Sequence, residues 1–355
     1  EADPAIPSLF QKGWDEYLKD SKVFLILMGS SIGMMETEVL GYRSPLYGRR
    51  TGQLLLQPLD FVDARQFFPR KSFEEALALY AVGGGIPAYL LEFRPEFDVW
   101  MNIRERVLAL ESFLYREPEF LLREELREPR NYFAILKALA AGKTKLGEIV
   151  NETGFPKSKI TKYLSVLTDL NIVQREVPVT EDRPEKSKRG IYRIVDYFFR
   201  FWFEFVFPYR SELEEGEFDA VLKKIKPAFP LYLSAVYEDV ARELTMDWAR
   251  RGELPFRPTR MGRYWDKDVE IDLSGHSKED NVALFGEVKW TNKAMSIGIY
   301  EQLKQKAQQV PWTGKTRQEF YILFSRRGFS EELKARARTE PLFLVEGERL
   351  LDVHE

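Results

Sequence analysis

The sequence predicts an α/β protein built from several domains. The chain has 355 residues, more than one hydrophobic core usually organises. Hydrophobic residues make up 44% and aromatic residues 14%, which is enough for a packed core in each part. Apolar runs typical of strands alternate with apolar residues at helical spacing. Because this pattern changes near residues 72, 130 and 196, we expect four regions, 1–71, 72–129, 130–195 and 196–355.

The composition excludes several kinds of functional site. The 53 basic and 56 acidic side chains leave a net charge of −3, so any nucleic-acid contact must use local basic patches. The absence of cysteine excludes disulfides and cysteine-ligated zinc, and with only two histidines, His276 and His354, histidine-based metal sites are disfavoured. No apolar run reaches the length of about 18 residues that a membrane span needs, so we expect a cytoplasmic protein with no membrane partner. Abundant Glu, Lys and Arg would suit a thermophile.

Residues 1–71 have the pattern of part of an α/β sheet. Residues 4–20 predict an amphipathic helix, and the apolar runs at 22–31 and 52–59 predict buried strands. The first of these strands ends in small polar residues, at the edge where ligands of open α/β sheets usually bind. Since two strands make an incomplete sheet, we expect their partners upstream of Glu1.

Residues 72–129 predict a helical region. Ser72 and Glu75 have the spacing of a capping box at its start. The glycine-rich run at 81–90 is interpreted as a tight turn between helices. A phosphate-binding loop is the alternative, and it is disfavoured because no strand precedes the glycines.

Residues 130–195 predict a winged helix-turn-helix, with three helices followed by two short strands around a polar loop. The third helix and the loop carry cations that suit DNA phosphates. The predicted DNA-binding residues are Lys157, Lys159, Lys162 and Arg189. A protein–protein spacer with a solvated charged face is the alternative. Both remain open because the helix has few side chains suited to reading base edges.

Residues 196–355 begin with an aromatic helix and continue as a mixed sheet flanked by helices. Glu270 and Asp272 are two apart on one predicted strand, as are Glu287 and Lys289 on the next, so each pair shares one face of its strand. If the strands form a hairpin, Asp272 and Glu287 can together hold Mg²⁺ or Mn²⁺, while Lys289 orients a metal-bound water or stabilises developing negative charge. Ordinary cross-strand pairing of Glu and Lys gives the same spacing.

The order of helix, strand with E-x-D, strand with E-x-K, helix and strand resembles the PD-(D/E)xK nuclease superfamily, and archaeal Holliday-junction-resolvase-like members in particular. The resemblance implies a restriction-endonuclease-like α/β domain in which Asp272, Glu287 and Lys289 are catalytic. It adds Glu238, in the preceding helix, as a further catalytic residue and metal ligand, with Glu243 as the alternative.

The same resemblance adds a polar residue on the helix that follows the second strand. Gln302 matches this position, which supports the site in that superfamily. Lys304 and Gln305 lie close to it in the sequence and are the alternatives.

Longer segments resemble an archaeal family of STAND/AAA-like P-loop ATPases, in which the ATPase core precedes a winged helix and a nuclease-like domain. They include LILMGSSIGMM, SPLYGRRTGQLLLQPL, GGIPAYL, ITKYLSVL and YFFRFWFEFV. The resemblance implies that residues 1–71 are the C-terminal part of the ATPase core, followed by its helical lid, and allows self-association through this part. It makes Ser30 or Ser31 a sensor-type polar residue near the γ-phosphate of ATP, and Arg49 or Arg50 an arginine finger or a sensor residue. A surface loop contacting acidic groups is the alternative for these arginines.

The chain departs from that ATPase family in the phosphate-binding motif G-x-x-x-x-G-K-[ST]. Gly-Lys-Thr occurs at 142–144 and 314–316, but Lys137 and Gln309 stand where the motif needs glycine. We therefore expect no tight ATP binding by these residues alone, and ATP to act only with the upstream part of such a protein. Two functions follow: a metal-dependent deoxyribonuclease under ATP control, or a DNA-binding regulatory ATPase that keeps the nuclease fold without cutting.

Overall fold

The computed structural model describes residues 3, 5–29, 35, 41–312 and 316–352. The chain divides into two units, Glu1–Gln57 with Glu124–Arg127, and Pro58–Arg123 with Glu128–Glu355. In the described part of the chain, no helix is both long and apolar enough to cross a membrane.

The first unit contains the predicted N-terminal helix but not the predicted strands. Helix α1 is Ile6–Gly13, continued by a π-helical segment at Trp14–Leu18. The prediction of strands at 22–31 and 52–59 was wrong, because the described residues of both runs lie in no strand. A strand needs a neighbouring strand to pair with its backbone groups, and neither run has one among the described residues.

The second unit begins with short helices. They are α2 (Phe61–Ala64), α3 (Phe73–Gly83), α4 (Pro87–Leu90), α5 (Val99–Asn102, continued by a π-helical segment at Ile103–Leu108) and α6 (Phe113–Glu125). The predicted capping box is present at the start of α3. The glycine run is a turn between α3 and α4, and Gly84 has a positive φ of 67°. A Cβ on Gly85 would lie 2.1 Å from the carbonyl oxygen of Leu59, so glycine is required there.

The predicted three helices and two strands of residues 130–195 are all present. They are α7 (Pro129–Ala140), α8 (Leu146–Thr153), α9 (Lys157–Asp169), β1 (Val173–Glu176) and β2 (Ile191–Ile194), and the two strands pair antiparallel. Ile160, Leu164 and Leu167 form the buried stripe of α9. Their spacing of three and four residues is the reason that the opposite face of this helix remains free for polar groups.

The helices α10, α11 and α12 connect the winged helix to the sheet. The aromatic helix α10 (Tyr197–Phe201, continued by a π-helical segment at Trp202–Val206 and a 3₁₀ turn at Phe207–Tyr209) is buried over most of its length. A short helix α11 (Arg210–Glu214) leads to α12 (Phe218–Arg251), which has 34 residues.

The C-terminal part is a mixed sheet with the strand order β3-β4-β5-β6-β7-β8. The strands are β3 (Arg260–Trp265), β4 (Glu270–Ser277), β5 (Val282–Lys289), β6 (Gln318–Ser325), β7 (Leu342–Glu346) and β8 (Arg349–Leu350). Strands β5, β6 and β7 are parallel, and the connections between them are α13 (Ile297–Gln308) and α14 (Glu331–Ala337). A mixed α/β fold is therefore confirmed; strand β8 was not predicted.

Candidate functional site

The predicted hairpin brings Asp272 and Glu287 together. Strands β4 and β5 pair antiparallel with Leu273 opposite Gly286, so Asp272 and Glu287 follow directly at the end of the paired segment. The backbone N–H of Val288 donates to Oδ2 of Asp272 at 3.0 Å. A Cβ on Gly286 would lie 2.8 Å from Cγ2 of Ile322 and 3.1 Å from Cβ of Leu273. Glycine before Glu287 thus lets the three strands approach at the site.

Two lysines hold the carboxylate of Glu287, one on each oxygen. Nζ of Lys289 lies 2.5 Å from Oε1, and Nζ of Lys306 lies 3.0 Å from Oε2. Lys289 is also 4.0 Å from Oδ2 of Asp272. The Glu287 side chain is 8% exposed, whereas those of Lys289 and Lys306 are 35% and 32% exposed. The lysines therefore stand between a buried carboxylate and solvent.

Burial and mutual repulsion act on the acidic groups of this site. Burial first, and then the charge of Glu287, raise the pKa of Asp272 above its ordinary value. Burial and the charge of Asp272 raise the pKa of Glu238 to about 7. Burial acts to lower the pKa of Lys289, but the hydrogen bond to Glu287 and the charges of Glu287, Asp272 and Glu238 together outweigh it, and the pKa is raised. Lys289 is thus a cation at neutral pH.

Of the two glutamates considered on the helix α12, Glu238 is the one whose pKa is raised by the charge of Asp272 on β4. The alternative, Glu243, accepts a hydrogen bond at 3.0 Å from the backbone N–H of Phe61, at the start of α2. Glu243 is thereby used to hold another helix, and the structure favours Glu238.

Lys306 occupies the place at the site that the sequence assigned to Gln302. Gln302 is exposed on α13, and the residue of this helix that contacts Glu287 is Lys306, one turn later. Lys304, one of the alternatives, pairs instead with Glu301 and Glu340. Residues four apart lie on one side of a helix, which was the available signal for Lys306.

The donor groups suit a hard divalent cation that has two protein ligands. Within the described ranges, no three His, Cys, Asp or Glu side chains form a group that could hold a metal ion. Asp272 and Glu287 would therefore be the ligands, with water and phosphate oxygens completing the coordination, as is common for Mg²⁺. The assignment of Glu238 as a third ligand stays a prediction.

A buried ionic network behind the site joins it to the winged helix. Asp239, on α12, accepts a hydrogen bond from Arg193 of β2 at 2.5 Å and another from Arg242. Arg242 also donates to the backbone carbonyl of Asp272 at 2.6 Å. Burial opposes the ionisation of Asp239, but the charges of Arg193 and Arg242 outweigh it and hold its pKa well below the ordinary range.

The loop between β1 and β2 is fastened to strand β3. Val179 N–H donates to the carbonyl of Arg263 at 2.9 Å, and Arg260 donates to the carbonyl of Glu181 at 2.8 Å. Arg189, one of the predicted DNA-binding residues, donates to Glu181 at 2.8 Å and to the carbonyl of Trp265 at 3.2 Å. The guanidinium group of Arg189 is thus hydrogen-bonded to other residues of the chain, and in this conformation it is not directed to an external partner.

The other three predicted DNA-binding residues lie on α9. Lys157 and Lys162 are exposed. Lys159 is partly buried, with Nζ 4.8 Å from the ring centroid of Phe155 and 5.5 Å from that of Tyr163. Lys159 and Lys162 are three apart and share one side of α9, which we call its basic face, and Lys157 lies at the N-terminal end of the helix.

The residues assigned to ATP are only partly described. Ser30 and Ser31 lie outside the described residues. Arg49 makes a bidentate pair with Asp15, at 2.9 and 2.7 Å, and Arg50 donates to Gln53 at 2.9 Å. The tripeptide at 142–144 lies between helices α7 and α8, so it is not preceded by the strand that a phosphate-binding loop needs.

Similarity to known proteins covers both the winged helix and the site. An uncharacterized protein of Methanocaldococcus jannaschii is 41% identical over 310 residues, which are 87% of this chain and 69% of that protein. The chain belongs to the family of this archaeal protein. A family described as archaeal and bacterial proteins of unknown function matches residues 202–307, a range that contains all the residues of the site. No solved structure matches the chain.

The winged helix has a match of its own. A helix-turn-helix family described as bacterial regulatory proteins of the arsR family matches residues 133–175. This range runs from α7 to β1 and includes the lysines of α9. The match suggests DNA binding.

Proposed function

We propose that the chain carries a metal-dependent nuclease site that the winged helix positions on DNA. The observation that carries the proposal is the convergence of Asp272 and Glu287 from two paired strands. Nζ of Lys289 lies 2.5 Å from Oε1 of Glu287 and 4.0 Å from Oδ2 of Asp272. Two carboxylates can hold a divalent cation, and a lysine beside them can stabilise charge on a phosphodiester during its hydrolysis.

Asp272 and Glu287 would hold Mg²⁺ or Mn²⁺, which supplies a polarised phosphoryl oxygen and a bound water of lowered pKa. In the hydrolysis, a water oxygen bonds to phosphorus, one phosphorus–ester bond breaks, and the departing oxygen takes up a proton. Lys289 stands at the mouth of the site and stabilises the negative charge that develops on the phosphoryl oxygens. The backbone N–H of Val288 keeps Asp272 oriented toward Glu287.

The winged helix supplies the DNA contact in this proposal. The helix-turn-helix match and the basic face of α9 support it. Lysines at an exposed helix face bind phosphates of any sequence, because each contact releases condensed counterions. Control by ATP also belongs to the proposal, supported by the resemblance of residues 1–71 to the end of an ATPase core.

A second candidate is a DNA-binding regulator that keeps this fold without cutting. The ion pairs of Glu287 with both Lys289 and Lys306 favour it, since they satisfy the carboxylate without any metal. The two candidates differ in one property, which is the breakage of a phosphodiester.

The test is cleavage of linear, branched and single-stranded DNA by the full chain in Mg²⁺ or Mn²⁺. We expect Asp272→Asn to lower the rate by at least about 100-fold, because removing even an outer partner of a metal ligand costs about 10–100-fold. Lys289→Ala should lower it as well. Asp268→Asn is the matched control, since Asp268 is exposed just before the same strand, and it should leave the rate unchanged.

Three outcomes separate the candidates. Loss of cleavage in both site variants supports the nuclease. DNA binding by the wild-type chain without cleavage in either metal supports the regulator. Full activity in Asp272→Asn and Lys289→Ala would reject the assigned site.

A further inference from the structure

We propose that Lys306 is a second phosphate-binding residue of this site. When a divalent cation binds, the ammonium group of Lys306 moves from the carboxylate of Glu287 to a phosphate of the DNA. The proposal rests on the proposed nuclease function and extends it to a lysine that no similarity assigns. It predicts a site with two lysines, one on strand β5 and one on helix α13, on either side of a single carboxylate.

The geometry places Lys306 where it can make this exchange. Its Nζ lies 3.0 Å from Oε2 of Glu287, the oxygen that Lys289 does not bind. Its side chain is 32% exposed, so the ammonium group has solvent on its outer side. Leu303 and Ala307, next to it on the buried face of α13, fix the helix against the sheet. Only the long lysine side chain has to move.

The charges favour the exchange. Asp272, Glu287, Lys289 and Lys306 together carry no net charge when all four are ionised. A divalent cation on the two carboxylates adds two positive charges and competes with both lysines for the oxygens of Glu287. The displaced ammonium groups then lie beside a site with a net positive charge, which favours the binding of an anion. A phosphodiester bound at the cation provides non-bridging oxygens within reach of both.

This arrangement gives Lys306 two effects of opposite sign. Without DNA, Lys306 opposes the cation, because it repels it and occupies one of its ligands. With DNA bound, Lys306 supports the reaction, because it stabilises charge on the phosphate. A lysine that only held Glu287 in place would instead assist both metal binding and cleavage.

The experiment measures Mn²⁺ affinity and DNA cleavage on the full chain with Lys306→Met. Without DNA, we expect Mn²⁺ to bind about tenfold more tightly, since a hydrogen bond to a charged group is worth roughly 1.4 kcal/mol or more. We expect the single-turnover cleavage rate to fall about 100-fold. Lys306→Arg should restore part of the rate, because arginine also binds phosphate.

Lys304→Met is the matched control. Lys304 lies on the same helix and is ion-paired with Glu301 and Glu340 rather than with Glu287. It should change neither the Mn²⁺ affinity nor the rate. Thermal unfolding of both variants checks that α13 stays folded.

The failures of the two proposals are distinguishable. If the wild-type chain binds no Mn²⁺, the metal site itself is rejected. If it binds Mn²⁺ and Lys306→Met binds it equally or more weakly, Lys306 does not compete with the cation and this inference is overturned. If the wild-type chain binds Mn²⁺ but cuts no DNA, the affinity for duplex DNA in Mn²⁺ replaces the rate, and an unchanged affinity in Lys306→Met also overturns it.

Discussion

The lysines of helix α9 and the lysines of the sheet site are the same residue type in opposite surroundings. Lys157 and Lys162 are exposed, and no salt bridge joins either to another residue in the described ranges. Lys289 and Lys306 are each ion-paired with the buried Glu287. In the proposed function, the first pair can contact DNA phosphates of any sequence, whereas the second pair is held at one carboxylate. We propose that α9 contributes affinity for DNA and that the sheet positions the phosphodiester.

The strongest test of this difference is the buried network that joins the two regions. Asp239→Ala leaves Arg193 and Arg242 without their shared carboxylate. Breaking a buried ion pair by removing one partner costs about 3–5 kcal/mol, and we expect the free energy of unfolding in urea to fall by that amount.

Asp247→Ala is the matched control for Asp239. Asp247 lies on the same helix and also pairs with two arginines, Arg250 and Arg251, but their side chains are 52% and 54% exposed. Exposed pairs contribute about 0–1 kcal/mol. Equal losses of unfolding free energy in the two variants would show that the ion pairs of Asp239 contribute no more to stability than exposed pairs. The proposed difference between the two regions would then be rejected.

A smaller effect is expected from pH. Burial raises the pKa of Glu243 from its ordinary value of 4.5 to about 7, so the folded chain keeps a proton that the unfolded chain releases. This contribution to stability is complete below pH 4.5 and is lost as the pH rises toward 7, at up to about 1.4 kcal/mol per pH unit. Glu243→Gln should therefore flatten the decline of unfolding free energy between pH 5 and 7.

Glu238 contributes in the same pH window, because its pKa is also raised to about 7. Glu243→Gln should thus remove only part of the decline, and the double variant with Glu238→Gln should remove more. Urea titrations at several pH values measure this. A decline that steepens in Glu243→Gln would contradict the assignment.

The smallest effect concerns single cations at the winged helix. Lys162→Ala should reduce the slope of log affinity against log salt concentration by about 1, which corresponds to the loss of one phosphate contact. Arg189→Ala removes the same charge, but Arg189 is bound to Glu181 and to the carbonyl of Trp265, so it should leave that dependence unchanged. Fluorescence anisotropy with duplex DNA at several salt concentrations measures both. A larger effect of Arg189→Ala would place the loop, rather than α9, on the DNA.

The sheet was predictable because its pattern is local. Apolar runs predicted a mixed sheet in this region, and the E-x-D and E-x-K spacing identified the faces of β4 and β5. The hairpin pairing followed from that order. Lys306 could not be selected in the same way, because Gln302 and Lys306 share one flank of α13. Only the packing of Tyr300, Leu303 and Ala307 decides which of the two reaches the strand.

The first unit shows the limit of the same reasoning. The runs at 22–31 and 52–59 are as apolar as the true strands, yet Phe24 and Met28 are 82% and 88% exposed. An apolar run indicates that a segment can be buried, but not which segment packs against it. For the C-terminal sheet, the order of helices and strands indicated the neighbouring strands. For the first unit, it did not.

The consecutive residues Glu238 and Asp239 of the long helix α12 constrain the substitutions that relatives of this protein can accept. Glu238 interacts electrostatically with Asp272 of the site, and Asp239 is hydrogen-bonded to Arg193 of the winged helix. Because the two residues are consecutive on one helix, a rotation of α12 moves both. Under the proposed function, the angle at which DNA is presented and the position of the carboxylates would change together, and relatives that alter one are expected to carry compensating substitutions in the other.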